Sequence, residues 1–279
     1  MAVLTAEENM LNELVPQIPE WEVELAISGA VTTGAQRLQF QAEKGEEHPF
    51  TTTVTISKAA QGVRCLLIAR AYTQENANDA GVYFVGQALD VLCLRLNTPL
   101  YLNLFRPEFR ALPNHVRRIL TMQEWYDAFH FGREYSMGRR IYSRAISWFR
   151  KGLGSEDPID RVIAFWSALE AIGSQYYRRS ARTEQGIINQ VCDCFDQLWG
   201  PVERWKVIPN NPNLVNEFHN FRNGFSHGFM RVDIETIRDI VVRLPVYQDL
   251  VYAFLCDWEL QGDLLERNHP LPEALETRQ

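Results

Sequence analysis

The stretch Phe218-His219-Asn220-Phe221-Arg222-Asn223-Gly224-Phe225-Ser226-His227-Gly228 is the densest polar cluster in an otherwise apolar helical segment. An α-helix turns about 100° and climbs about 1.5 Å per residue. Asn223 and His227 are therefore i,i+4 neighbours, so the amide can orient the imidazole, and Arg222 and Ser226 form a second such pair. Arg222 and His227 lie about 140° apart around the axis and converge only if both reach from the helix end into a shared groove. Gly228 stands where a glycine can end the helix.

An arginine and a histidine suffice for metal-free RNA cleavage. The imidazole, with an unperturbed pKa of about 6.5, can take the proton of a ribose 2′-OH. The guanidinium offers a fixed fork of donors to the phosphate as charge builds on it. The spacing by itself suits equally an arginine in a salt bridge and a histidine at a helix cap.

The residues around this stretch are helical in pattern. Segments are expected over Val116–Gly132, Arg133–Leu153, Pro158–Tyr177 and Thr183–Leu198, then from Leu214 to His227 and from Ile234 to about Leu260, with a bend at Pro245. Pro158 after SEDPID suits a first helical turn, and Gly200-Pro201 a stop. The first third reads differently. Trp21–Ser28, Arg37–Ala42 and Phe50–Ile56 alternate apolar with polar residues, and Gly62–Tyr72 and Leu100–Phe105 read as further strands around a helix at Asn76–Leu96. Glycines and the GEEHP stretch punctuate them. The expectation is an α+β chain: a mixed strand and helix module over residues 1–115, an all-α bundle over 116–262, and a disordered tail from 263.

Composition narrows the function classes. The 279 residues are 46% hydrophobic, enough for real cores, and the formal charge of −7 argues against a general nucleic-acid coat protein. Charge is uneven, with ten Lys/Arg against four Asp/Glu from Arg106 to Lys151. That segment either faces an anion or is a solvated helix face. Five cysteines without regular spacing make neither a disulfide framework nor a zinc site, and no cofactor or metal is expected. MAVLTAEENM lacks the basic start and apolar run of a signal peptide, and no apolar run approaches the roughly 20 residues of a membrane span. A cytoplasmic protein without membrane contact is expected. The sequence carries no GxxxxGK[ST], GxGxxG, HExxH or GxSxG pattern.

Other residues stand out singly. Glu170 follows Leu169 in the apolar helix holding Phe165, Trp166, Ala168 and Ile172, and either pairs with Arg222 or His227 or lies on an exposed edge. Tyr176, Tyr177, Arg178, Arg179 and Arg182 mix aromatics with charge, as base stacking and phosphate contact require, or form a basic helix end meeting solvent. Arg139, Arg140 and Arg144 allow the same two readings. His219, eight residues before His227, completes no metal ligand set and reads as a core or surface residue; His48, His115, His130 and His269 belong to no motif.

Arg222-Asn223 followed by His227 resembles the R-x4-6-H motif of the HEPN superfamily, including its polar residue directly after the arginine. Ile163–Gly173 (IAFWSALEAIG) is similar to the Leu-Glu-bearing helix of the Apea-like branch. The resemblance covers roughly residues 130–262, and the overall layout resembles that of methylamine-utilisation accessory proteins. It implies a helical bundle that dimerises so that two Arg/His motifs face each other, and a metal-independent endoribonuclease of a defence, toxin or stress system. The implied roles are His227 as general acid or base, Arg222 on the phosphate, Asn223 orienting the site and Glu170 supporting it, with Arg178, Arg179, Arg182, Arg139 and Arg140 contacting RNA. Some members of the superfamily have lost cleavage and serve as RNA-, nucleotide- or protein-binding subunits, and a regulatory partner holding a toxin inactive is a further implication.

Overall fold

A computed structural model describes residues 18–41, 50–59, 62–104, 118–228 and 233–267. His48, His115, His269, the prolines at 107 and 113, the 115/116 boundary and the tail beyond 267 lie outside the described residues. The chain is α+β and divides into two compact units: the described residues of Met1–Val85 with those of Leu102–Met122, and those of Gly86–Tyr101 with those of Gln123–Gln279. The division is not a single cut.

The described strands are β1 (Glu20–Gly29), β2 (Val31–Thr33), β3 (Arg37–Gln41), β4 (Phe50–Ala59), β5 (Gly62–Arg70), β6 (Leu100–Leu104) and β7 (Arg118–Leu120). Five of them form one sheet in the order β3-β4-β5-β1-β6, with β3/β4, β4/β5 and β1/β5 antiparallel. Alternation decides which face is buried. Val23, Leu25 and Ile27 on β1 and Val63, Cys65, Leu67 and Ala69 on β5 are almost wholly covered. Burial of each large aliphatic among them contributes about 1.5–3 kcal/mol.

β2 and β7 correct the expectation of continuous helix from Val116. Arg118–Leu120 pairs in parallel with Val31–Thr33, with Val31 opposite Arg118. Three residues are too few for periodicity to speak. Leu120 goes inward while Ile119 stays 63% exposed, the two-residue alternation of a strand.

Seven α-helices are described: α1 (Gln74–Leu96), α2 (Met122–Gly138), α3 (Arg140–Gly154), α4 (Pro158–Tyr176), α5 (Ile187–Trp199), α6 (Asn213–Ser226) and α7 (Ile234–Arg267). The break between the first two bundle helices falls at Gly138-Arg139 rather than after Gly132. Gly132 lies within α2 because it faces the backbone of Gln87, where a Cβ would stand 2.8 Å from a carbonyl. The last helix runs to Arg267, so residues 263–267 are helical rather than tail.

α4 is the axis of the second unit, packing on α3, α5, α6 and α7. Its start follows from sequence: Pro158 occupies the first turn and the Asp157 carboxylate accepts from the Ile159 amide at 2.7 Å. Gly152 and Gly173 allow close approach. A Cβ on Gly152 would stand 2.5 Å from the Phe165 ring, and one on Gly173 2.6 Å from Val191. Phe149, Phe165, Trp166, Phe195, Phe218, Tyr247, Phe254 and Trp258 form a fully buried aromatic core around this helix. Among the described residues no helix is long and apolar enough to cross a membrane.

Candidate functional site

The site is assembled where α4 meets α6. Trp166 sets the register, meeting Phe218 edge-on at 5.4 Å and His219 at 5.0 Å between ring centroids. Phe218 in turn stacks on Tyr247 of α7 at 4.0 Å. One turn further along each helix, the aromatic contact gives way to a charged one. Glu170, four residues after Trp166, stands opposite Arg222, three residues after His219, with Oε2 and Nη2 at 3.3 Å. Both side chains are partly shielded, at 26% exposure for Arg222 and 33% for Glu170.

Arg222 is held from a second side. Its Nη1 donates to Oδ1 of Asn223 at 2.9 Å. Its Nε is buried and has no partner among the described residues. The arginine faces a cleft of about 290 Å³ whose walls include Arg144 and Trp148 from α3 and Ser167, Glu170 and Gln175 from α4. Arg144 is exposed. Two guanidinium groups and one carboxylate therefore border a largely polar cleft, a composition suited to a phosphate or another compact anion.

Asn223 meets a histidine that sequence spacing did not single out. Its Nδ2 lies 3.0 Å from Nε2 of His219, one turn before it. The two alternatives, i−4 and i+4, are equal in an unbroken helix, but α6 stops. His227 is its C-cap, with φ −105° and ψ 3°. Its amide donates to the Asn223 carbonyl, and Gly228 follows at φ +68°, a conformation glycine adopts without strain. His227 is exposed and lies outside the cleft lining. The structure thus brings Glu170, Arg222 and Asn223 together, adds His219, and sets His227 just past the end of the same helix. The signal for His219 was in the sequence, three residues before the arginine and four before the asparagine.

His219 titrates below its ordinary range. Burial beside Trp166 is the main cause, the Glu170 carboxylate opposes it, and the Arg222 guanidinium adds to it.

The further basic candidates separate. Arg139 is 9% exposed and clamps the end of α7: Nη2 donates to Glu266 at 2.8 Å and to the Trp258 carbonyl at 3.0 Å, beneath the Tyr142 ring. It is withdrawn from the surface, a correction to its reading as an RNA contact. Arg178 forms a fork with Asp193 of α5, at 2.7 Å from Nη2 and 3.0 Å from Nε, while its own amide donates to the same carboxylate at 2.7 Å. Arg182 pairs with Asp196 at 3.2 Å. Both arginines tie the segment after α4 to α5, and their charge is matched there. Arg140 and Arg179 are exposed.

Among the described residues no group of three His, Cys, Asp or Glu side chains is placed to hold a metal ion. The thiols of Cys65 and Cys93 are pushed up to about 12 by burial. No family model, curated protein or solved structure matches this chain significantly.

Proposed function

We propose that the helical unit is a HEPN-type endoribonuclease that works without a metal, with Arg222 and His227 as its working pair. The observation that carries this reading is the fixing of Arg222 by Glu170 and Asn223 at the rim of a polar cleft, five residues before an exposed histidine. An arginine held on two sides loses little rotamer freedom on meeting a phosphate. His227 takes the proton from a ribose 2′-OH. The freed oxygen attacks phosphorus, the bond from phosphorus to the 5′-oxygen breaks, and that oxygen leaves with a proton, giving a 2′,3′-cyclic phosphate and a 5′-OH. Arg222 stabilises the charge that builds on the phosphoryl oxygens. A single Arg/His pair makes a shallow site, so the active form is a homodimer through the helical unit, with two pairs across its axis.

A second reading has its own support. Glu170 already balances the charge of Arg222, and the Asn223 amide is engaged with His219. A non-cleaving subunit that binds RNA, a nucleotide or a partner protein in the same cleft uses this arrangement as it stands. One assay separates the two: mixed RNA incubated in EDTA with the full chain and with His227→Ala. Chelator-resistant cleavage lost in the variant supports the enzyme. Equal cleavage by both excludes His227, and no cleavage by either favours the binding subunit.

A further inference from the structure

Hydrogen-bond direction fixes more of this site than distance does. A guanidinium has donors only, so the end of the Asn223 amide 2.9 Å from Nη1 of Arg222 has to be the carbonyl oxygen. The NH2 end is then the one 3.0 Å from Nε2 of His219, and it donates. Nδ1 stands farther from the same NH2 group, at 3.5 Å, so Nε2 is the ring nitrogen placed to accept, which puts the single proton of the neutral ring on Nδ1.

From this chain of bonds we infer that His219 is a positioning residue: its Nδ1–H tautomer holds the Asn223 amide in one orientation, and the amide holds the Arg222 guanidinium toward the cleft. The inference rests on the reading of Arg222 as the working cation, but the tautomer itself does not depend on that reading. The relay runs along one face of α6, where His219 and Asn223 are one turn apart and Arg222 stands between them and Glu170 of α4. The Trp166 ring, against the imidazole at 5.0 Å, limits its rotation.

Protonation would undo the relay. A second proton on Nε2 would meet the Asn223 NH2 donor to donor. The amide could then satisfy the ring only by turning over, which would present its NH2 to Arg222 and leave the guanidinium with Glu170 alone. The charges acting on the ring are Glu170 from α4 and Arg222 from its own helix. On α7, Arg243 is paired with Glu217 of α6. The α5 acids Asp193 and Asp196 are engaged by Arg178 and Arg182. Burial keeps the ring in its neutral form to lower pH than an ordinary histidine, the state the relay needs.

The test uses the full chain, 15N-labelled, with the histidine ring nitrogens and the Arg222 side chain observed by NMR and His219 assigned from its loss in His219→Gln. At neutral pH, Nε2 of His219 is expected to show the shift of an unprotonated acceptor and Nδ1 that of an N–H. His219→Gln keeps a carbonyl acceptor for the Asn223 NH2, so the Arg222 Nε–H resonance should stay as in the wild type. His219→Leu removes the acceptor, so that resonance should shift or broaden while the melting curve shows the chain still folded. Where RNA is cut, kcat should fall about 2- to 10-fold in His219→Leu, the size expected for one lost neutral hydrogen bond, and be near normal in His219→Gln. A protonated Nε2 at neutral pH, or an Arg222 resonance unmoved in folded His219→Leu, overturns the inference. If the tautomer and the Arg222 response are as stated while the wild type cuts no RNA, the inference holds and the ribonuclease reading is what fails.

Discussion

Glu170 of α4 and Arg222 of α6 form an ion pair at 3.3 Å, and Asn223 holds the same guanidinium at 2.9 Å from the other side. Neither partner is deeply buried, so the pair's contribution to folding is small, on the order of 0–1 kcal/mol. In the proposed RNA site its larger effect would be on binding, because a carboxylate beside the arginine opposes an incoming anion. Glu170→Gln should unfold at nearly the same temperature as the wild type and bind a short RNA more tightly. Weaker binding by a folded Glu170→Gln would mean that the carboxylate contacts the ligand itself.

Arg222 and His227 should fail differently. With Arg222 in the proposed role of phosphate clamp, Arg222→Ala should lower both affinity and rate, the rate by about 10²–10³-fold. His227→Ala should abolish turnover yet keep most of the affinity. Filter binding beside single-turnover cleavage separates the two effects. Both variants should stay folded, because Arg222 is only partly buried and His227 is exposed.

The depressed His219 pKa has a consequence for stability. The folded state favours the neutral ring and the unfolded chain titrates near 6.5. The stability tied to the neutral ring is therefore fully present above that pH, and it is lost as pH falls through the folded value. Denaturant midpoints measured from neutral pH downward should decline, and His219→Gln should decline less. Parallel curves would show that other groups carry the slope.

Arg139 and Arg140 adjoin in sequence and should behave as opposites. Arg139→Ala strands the Glu266 carboxylate in a site about 10% exposed, and breaking such a pair costs about 3–5 kcal/mol. Arg140→Ala, at an exposed position, should stay within about 0.5 kcal/mol of the wild type. Thermal melting of both variants checks the contrast.

Much of this architecture was legible in residue order. Val23, Leu25 and Ile27 alternate inward as their spacing required, and α4 opens at Pro158, where SEDPID suited a first turn. Two of the misreadings depend on partners distant in sequence. Arg118–Leu120 is a strand because Val31–Thr33 offers it an edge, and Arg139 is buried because Glu266 reaches it across the bundle. At the site, spacing alone offered Asn223 two histidines. The choice was made by the end of α6 and by Trp166, neither of which a helical period can weigh.

We propose that this chain cuts RNA through the ribose 2′-OH with Arg222 and His227. The most direct measurement compares one RNA oligonucleotide with its counterpart carrying a 2′-deoxy sugar at the cleaved position, both in EDTA, with product ends read by mass spectrometry. The account predicts that the RNA is cut to a 2′,3′-cyclic phosphate and a 5′-OH, and that the 2′-deoxy position is left intact. Cleavage that stops in EDTA, or that proceeds equally at the 2′-deoxy position, would contradict it.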